Sequence, residues 1–393
     1  MSSTFRRRPD RKSQLAGLAA ELFRARGYHG VGINDIAAAA GITGPAVYRH
    51  FADKQAILAY VLLGGVREME DATAAALSNL HQAEGAQVDG LLRRIAEASV
   101  ERRDVAALWR WEGRHLSPAD QREIGRRSTA VLTAWAKELM NLRADLEADD
   151  AEVLCWAALS VFGSVSVHRT SVARKRFADL LAELARRVLH VRLPGVVDEP
   201  SPAVSPGVGV LSRREQILSA AAELFHHKGF HAVSMEDIGT AAGIAGPSVY
   251  RHFSSKAALM SAIARRAADR LLLDAERVRL SSADETEALR GLIDSYVRVL
   301  TGSAELAVSF SADALNYAEE EGDELRRIQR DYVAQWVGLL GAAQPSMNAR
   351  DAKITVHAAL TIANDLSRTR RVNQRPGLAA ELRVLMAAVL GLG

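Results

Sequence analysis

Apolar residues recur along most of the chain three and four positions apart, which is the spacing of an amphipathic α-helix. The stretches Gln14–Phe23 and Gln216–Phe225 show this spacing plainly, and their alanine and leucine content also favours helix. Alternation of apolar and polar residues, which is typical of a half-buried strand, rarely persists. The pattern therefore predicts an all-α protein.

The helical pattern is clearly broken at the stretch Leu193–Val210, which contains four prolines. Proline fixes φ and removes a backbone donor, so neither a helix nor a central strand is expected there. We interpret this stretch as a linker. Partly extended, at about 3.1 Å per residue, it reaches roughly 50 Å.

The chain repeats itself on the two sides of this linker. GITGPAVYRHFADK, residues 41–54, recurs 202 positions later as GIAGPSVYRHFSSK, residues 243–256. The correspondence continues more loosely downstream, where Trp135 aligns with Trp336. Solenoid repeats are about 20–50 residues long, so an offset of this size indicates duplication of a complete domain.

The repeated segment has the pattern of a helix-turn-helix. A short helix is expected over Ile33–Ala40, a tight turn at Gly41, a second short helix over Gly44–His50, and a longer helix from Lys54. Two short helices joined by a glycine turn describe the motif whose second helix enters the major groove of DNA. Its apolar positions are spaced to fix the angle between the helices; they are Ile36, Ala40, Ile42 and Val47.

The combination D-I-A, A-G-I, G-x-x-Y-x-H-F and K, found twice, resembles the amino-terminal domain of the TetR/AcrR family of transcription regulators. AAELFRARGYHG and AAELFHHKGFHA, just upstream, match the first helix of that family. The close resemblance covers about 50 residues in each half. It implies two tandem units, each with a three-helix DNA-binding domain followed by a helical ligand-binding and dimerisation domain.

On this interpretation the chain has five segments, two of which we call heads and two bodies. They are the first head at 1–58, the first body at 59–192, the linker at 193–210, the second head at 211–260 and the second body at 261–393.

The resemblance implies DNA contacts at matching positions of the two heads. Phosphate contacts and their neighbours are expected at Tyr48, Arg49, His50, Lys54, Tyr250, Arg251, His252 and Lys256. Base edges are expected to meet Thr43, Gly44, Pro45, Ala46, Ala245, Gly246, Pro247 and Ser248. The alternative is that the tyrosines and histidines only close the core of the head, as Phe51 and Phe253 are expected to do.

The two heads differ at the start of the first motif helix. Ser234 and Asp237 form a plausible capping box, and the Ser234 hydroxyl could also touch a phosphate. Gly32 stands at the same place in the first head and caps less well, so we expect the first head to be the looser one.

The net charge of +3 is modest, but five basic residues crowd the amino terminus. They are Arg6, Arg7, Arg8, Arg11 and Lys12. Two interpretations stay open from the sequence: a solvated tail, or a tail that reaches DNA phosphates or a minor groove.

The bodies contain candidates for an effector site. By resemblance each body holds a pocket for a small, largely apolar ligand. The candidates are Trp109, Arg110, Glu112, Arg114, His115, Trp135, Trp156, Phe310, Asn316 and Trp336. The tryptophans can equally be core residues and the arginines solvated. If the arginine-bearing first body binds a ligand, an anionic one such as an acyl-coenzyme A or a fatty acid is expected.

The expected partner is double-stranded DNA with an imperfect palindrome, because position 43 is Thr where 245 is Ala, and position 46 is Ala where 248 is Ser. Fusion supplies both heads from one chain, so we expect an intramolecular pseudo-dimer, built from the last two helices of each half. Pairing of two whole chains stays open.

Other classes find little support in the sequence. With Cys155 alone, neither an intramolecular disulfide nor a thiolate zinc site can form. No signal peptide or membrane span is expected, so the protein is placed in the cytoplasm. No catalytic motif stands out, and we expect neither an enzyme nor a cofactor. The alternative function is a helical small-molecule-binding or scaffold protein with vestigial heads.

Overall fold

The computed structural model describes residues 10–78, 85–195, 212–309 and 322–393. Within these ranges all regular secondary structure is helical, which confirms the predicted class. No helix in this part of the chain is long and apolar enough to cross a membrane. Arg6 to Arg8 and linker residues 196–210 lie outside the described residues.

The two repeats contain corresponding α-helices in the same order. The first repeat has α1 (Arg11–Arg26), α2 (Ile33–Ala39), α3 (Gly44–Tyr48), α4 (Lys54–Leu77), α5 (Ala86–Glu101), α6 (Arg103–Glu112), α7 (Pro118–Leu142), α8 (Ala148–Gly163) and α9 (Arg174–Leu189). The second repeat has α10 (Arg213–Lys228), α11 (Met235–Ala241), α12 (Gly246–Val249), α13 (Lys256–Ser281), α14 (Glu285–Gly302), α15 (Ala304–Ser309), α16 (Gly322–Ala343), α17 (Ala349–Leu366) and α18 (Leu378–Leu390).

The chain forms two compact units, residues 1–155 with 162–186, and residues 156–161 with 187–393. Each unit contains one head and helices of the body that follows it. The helix α4 runs without a break across residues 58 and 59, and α13 runs across residues 260 and 261. A head is therefore joined to its own body by a continuous helix.

Side-chain caps determine where the first helix of each head begins. The Asp10 carboxylate accepts a 2.7 Å hydrogen bond from the Ser13 backbone N–H, and this bond lowers the pKa of Asp10. Ser212 caps α10 in the same way. Both helices end at a glycine with positive φ, Gly27 at 72° and Gly229 at 79°, a conformation that other residues adopt only with strain.

Each head shares its core with the sixth helix of the same repeat. In the first head Phe23, Phe51 and their buried neighbours form one cluster with Leu108 of α6. In the second head Phe225 and Phe253 form a cluster with Val308 of α15. Phe51 and Phe253 are 5% and 4% exposed, which confirms the prediction that they are core residues.

Candidate nucleic-acid interface

The two heads contain the same helix-turn-helix backbone. Between α2 and α3, Gly41 has a φ of 64°, and the N–H of Ile42 donates a 3.0 Å hydrogen bond to the carbonyl of Ala37. Between α11 and α12, Gly243 has a φ of 68°, and Ile244 donates in the corresponding way at 2.9 Å. The tight turn predicted from the glycine is confirmed in both repeats.

The predicted DNA-contacting residues line one exposed face of each head. A buried valine anchors the second motif helix from behind: Val47 and Val249 are both fully buried. Tyr48 and Tyr250 follow directly and are each 56% exposed, so neither ring closes the core. The other exposed predicted residues are Thr43, Pro45, Arg49, Ser234, Ala245, Pro247 and Arg251. The half-buried ones are Gly44, Ala46, His50, Lys54, Gly246, Ser248, His252 and Lys256.

Gly44 and Gly246 have a packing role that the base-reading prediction missed. A methyl group on Gly44 would lie 2.7 Å from Asn34 Oδ1, and one on Gly246 would lie 2.7 Å from Glu236 Cγ. The two glycines therefore let the motif helices approach closely. We propose packing of the motif helices, in place of base contact, as the role of both residues.

The ammonium groups of Lys54 and Lys256 also have partners within the head that the sequence analysis did not predict. Lys54 Nζ donates hydrogen bonds of 2.7 Å and 2.8 Å to the carbonyls of Tyr28 and Val31, and it lies 4.2 Å from the centre of the Tyr28 ring. Lys256 Nζ donates at 2.6 Å and 2.7 Å to the carbonyls of Phe230 and Val233. The ammonium groups are thus held by the loop before the motif. We propose loop anchoring, in place of phosphate contact, as their role.

The start of the first motif helix is capped in both heads, but by different groups. In the second head the Asp237 N–H donates to Ser234 Oγ at 3.0 Å, and the Ser234 N–H donates to Asp237 Oδ2 at 2.8 Å. Hydrogen bonds from the Ser234 hydroxyl and backbone lower the pKa of Asp237. In the first head only the second of these two bonds has a counterpart: the Gly32 N–H donates to Asp35 Oδ2 at 2.7 Å.

Two basic residues of the amino-terminal run lie on α1 rather than in a free tail. Arg11 donates a 3.1 Å hydrogen bond to the carbonyl of Ala40, at the end of α2. Arg213 makes the corresponding 3.3 Å bond to Ala242. Lys12 Nζ lies 5.1 Å from the centre of the Phe51 ring. These basic side chains thus contact other residues of their own head.

The structure places two predicted effector residues in the hydrophobic core. Trp135 is 4% exposed, and its Nε1 donates a 2.8 Å hydrogen bond to Thr73 Oγ1. Trp336 is fully buried, with its ring 6.3 Å from that of Tyr296 and 6.2 Å from that of Tyr332. The polar atom of Trp135 is already satisfied inside the body, so we propose a core role for this residue in place of the predicted ligand contact.

Glu112 and His115, predicted to belong to an effector pocket, lie where the first body meets its head. His115 Nε2 is 3.4 Å from Glu112 Oε2, and its ring stacks on that of Tyr28 at 4.8 Å. The His115 carbonyl accepts a 2.6 Å hydrogen bond from Gln55 Nε2 of α4. This cluster couples the end of α6 to the head.

The remaining effector candidates that the structure describes are exposed or half-buried. Trp109 is 47% exposed, Arg114 is exposed with its Nε 3.2 Å from His115 Nε2, and Trp156 is half-buried. The Arg110 side chain, Phe310 and Asn316 lie outside what the structure describes.

The second repeat has a head–body contact that the sequence analysis missed. Arg266 of α13 forms ion pairs with Glu215 of α10 and with Glu305 of α15. Arg270 reaches the other Glu305 oxygen at 2.8 Å. Glu305 is only 5% exposed, so two arginines compensate a buried carboxylate. The sequence signal for this contact is an acidic residue, Glu305, at a helix position where an apolar residue is expected.

No group of three or more His, Cys, Asp or Glu side chains that could hold a metal ion occurs in the described ranges.

Comparison with known proteins agrees with this geometry. The family model "Bacterial regulatory proteins, tetR family" matches residues 17–61 and residues 217–263, which are the two heads. Both heads therefore match this family, and the chain carries two tandem copies of the matched domain.

Relatives with known roles match parts of the chain. The HTH-type transcriptional activator FasR of Mycolicibacterium smegmatis is 36% identical over 84 residues, which cover 21% of this chain and 38% of FasR. The HTH-type transcriptional repressor KstR2 of Rhodococcus jostii is 30% identical over 136 residues, which cover 34% of this chain and 66% of KstR2. The chain thus spans less than two thirds of the length of these relatives.

Among solved structures, the ketosteroid transcriptional regulator KstR2 of Mycobacterium tuberculosis aligns with a TM-score of 0.39 and 24% identity. The alignment covers 47% of this chain and 95% of that protein.

Proposed function

We propose that the protein is a sequence-specific DNA-binding transcription regulator, and that its two heads bind the two half-sites of one operator. The observation that carries this proposal is the repeated exposed face. In both heads a fully buried valine precedes a tyrosine that is 56% exposed and an exposed arginine. Large aromatic side chains at such exposure are available to a partner, and tyrosine and arginine commonly bind DNA phosphates.

The presence of two similar heads on one chain also supports an operator with two half-sites. Helix-turn-helix dimers reach half-sites about 34–36 Å apart, which is one turn of DNA. A chain with two heads provides both contacts at high effective concentration. Thr43 corresponds to Ala245 and Ala46 to Ser248, so the half-sites are expected to be similar but not identical.

Selection of genomic fragments by the purified full-length chain tests this proposal. The fragments come from the genome that encodes the protein, and binding is measured at several salt concentrations. Enrichment of an imperfect palindrome, with affinity that falls as salt rises, is the expected result. No enrichment over non-specific DNA at physiological salt would contradict the proposal and favour a binding or scaffold protein with vestigial heads.

We infer that one chain acts as a pseudo-dimer on its operator, in the cytoplasm where that DNA is accessible. The support is that each repeat contains a complete head joined by a continuous helix, α4 or α13, to its own body. Light scattering of the complex on a single operator duplex tests the inference. One chain per duplex is expected, and two chains per duplex would show that whole chains pair.

We further propose that a small, largely apolar effector binds the second body and releases the DNA. Tyr332 Oη and Trp336 Nε1 are buried close to each other, and neither makes a hydrogen bond to any other group within the described ranges. Buried polar groups are normally hydrogen-bonded, so two such atoms in one aromatic cluster suit a ligand with a polar group. Trp135 in the first body is already paired with Thr73.

Uncharged apolar ligands are tested beside acyl-coenzyme A and fatty acids, the anionic ligands expected for the arginine-bearing first body, by thermal shift and by release of the operator. Each variant is compared with its own ligand-free melting temperature, because bound ligand adds stability by mass action. Trp336→Phe is expected to lose the ligand-induced shift, and the control Trp135→Phe to keep it. An equal shift in both variants would contradict a site in the second body. A reporter gene then decides between repression and activation.

A further inference from the structure

One polar position packed against the second motif helix differs between the heads: it is Asn34 in the first and Glu236 in the second. Each is the second residue of its helix, α2 or α11. A methyl group on Gly44 would lie 2.7 Å from Asn34 Oδ1, and one on Gly246 would lie 2.7 Å from Glu236 Cγ and 3.1 Å from Glu236 Cα. Both side chains therefore lie directly against the start of the helix proposed to read DNA.

Asn34 and Glu236 are also available to a partner. Both are exposed, and neither has a hydrogen bond or ion pair among the described contacts of the chain. The next residue in each head is occupied instead: Asp35 and Asp237 accept hydrogen bonds from Gly32 and Ser234 in the helix caps. Glu236 is thus an acidic side chain without a structural partner, on the face expected to approach a polyanion.

The chemistry of the two side chains predicts different base preferences. Both residues lie on the first motif helix, against the start of the second, whose amino-terminal residues contact base edges in the major groove. An asparagine amide can donate and accept together, which matches N7 and N6 of adenine, whereas a carboxylate only accepts and matches the N4 amino group of cytosine. A carboxylate near phosphates is repelled unless such a donor compensates it. The substitution therefore changes which base is preferred.

We propose that position 34/236 is a specificity determinant that makes the two heads read different bases at the same place in their half-sites. Asn34 selects adenine in the half-site of the first head. Glu236 selects cytosine in the half-site of the second head. This inference rests on the proposed function. It adds a third position to the two, 43/245 and 46/248, at which the residues expected to meet base edges already differ.

The test exchanges the two residues in the full-length chain. Asn34→Glu, Glu236→Asn and Glu236→Gln are each used to select binding sites from a random library. We expect Glu236→Asn to change the preferred base at one position of one half-site, from cytosine to adenine. The preference ratio is expected to change at least about fivefold, the lower end of what one bidentate base contact provides. Asn34→Glu is expected to produce the reverse change in the other half-site.

Glu223→Gln is the matched control, since it removes the same charge from an exposed residue on α10 of the same head. It is expected to leave every base preference unchanged. If Glu236→Gln and Glu236→Asn raise affinity equally for all sequences, Glu236 acts on phosphates only and the inference is wrong. If wild-type protein selects no site at all, the proposed function fails instead, so the two failures are distinguishable.

Discussion

Lys54 Nζ donates a 2.7 Å hydrogen bond to the carbonyl oxygen of Tyr28, across the loop that precedes the helix-turn-helix. The corresponding bond joins Lys256 to Phe230 at 2.6 Å. The same residue type thus anchors the same loop in both heads. Burial lowers the pKa of Lys54, as expected for an ammonium group that has left bulk water.

Replacement of this lysine is expected to destabilise the head. Lys54→Met leaves the carbonyls of Tyr28 and Val31 without their donor, and each lost bond to a charged group costs about 1.5–3 kcal/mol. Denaturant unfolding of Lys54→Met and Lys256→Met measures the loss. Unchanged stability with weaker DNA binding would restore the phosphate-contact role for these lysines.

The two motif glycines are expected to tolerate alanine differently. In Gly44→Ala the new methyl meets Asn34 Oδ1, the end of a side chain that can rotate away. In Gly246→Ala it meets Glu236 Cα at 3.1 Å, which is backbone that cannot move without shifting α11. We expect Gly246→Ala to cost about 1–3 kcal/mol, as overpacking does, and Gly44→Ala to cost less. Chemical denaturation of the two variants checks the order; equal costs would contradict it.

The buried carboxylate of Glu305 is expected to hold the second head on its body. Glu305→Gln leaves Arg270 without its charge partner and Arg266 with Glu215 alone, and breaking a buried pair costs about 3–5 kcal/mol. Hydrogen exchange is expected to accelerate in α10 and α15. The first head serves as the internal control, because exchange in α1 is expected to stay the same. Equal acceleration in α1 would indicate general unfolding instead.

Stability of the second body is expected to fall in mild acid. Burial lowers the pKa of His357 to about 4, whereas an unfolded histidine titrates near 6.5. Below pH 6.5 the unfolded chain therefore binds more protons, so the free energy of unfolding decreases as pH falls from about 6.5 to about 4, by at most about 3 kcal/mol. Thermal unfolding of wild type and His357→Gln across this range checks the sign. A variant that loses stability as steeply as wild type would show that other groups are responsible.

Local sequence patterns predicted the parts of the fold that local chemistry decides. The glycine turns, the Ser234 cap and the buried Phe51 follow from backbone freedom, hydrogen-bonding capacity and periodicity, and the structure has each of them. The same patterns located the exposed Tyr48 and its repeat partner Tyr250.

Side-chain partners distant in sequence could not be predicted in this way. The bond between Trp135 and Thr73 joins residues 62 positions apart, and the pair of Arg270 and Glu305 spans 35 positions. A tryptophan or a lysine suits a core, a loop anchor or a ligand equally well, so residue type alone did not separate these roles. The position of α6 against the head decided the role of His115.

The most direct measurement of the central claim is a double-mutant cycle between heads and half-sites on the selected operator. Tyr48→Phe with Arg49→Ala disables the first head, and Tyr250→Phe with Arg251→Ala disables the second. Each protein is measured on operators with one or the other half-site scrambled. The account predicts strong coupling between each head and its own half-site. When a head is disabled, scrambling the half-site that it reads costs little further affinity. When the other head is disabled instead, scrambling the same half-site costs as much affinity as it does in the wild type. Costs that add independently of which head is disabled would contradict the claim that the two heads of one chain read the two half-sites.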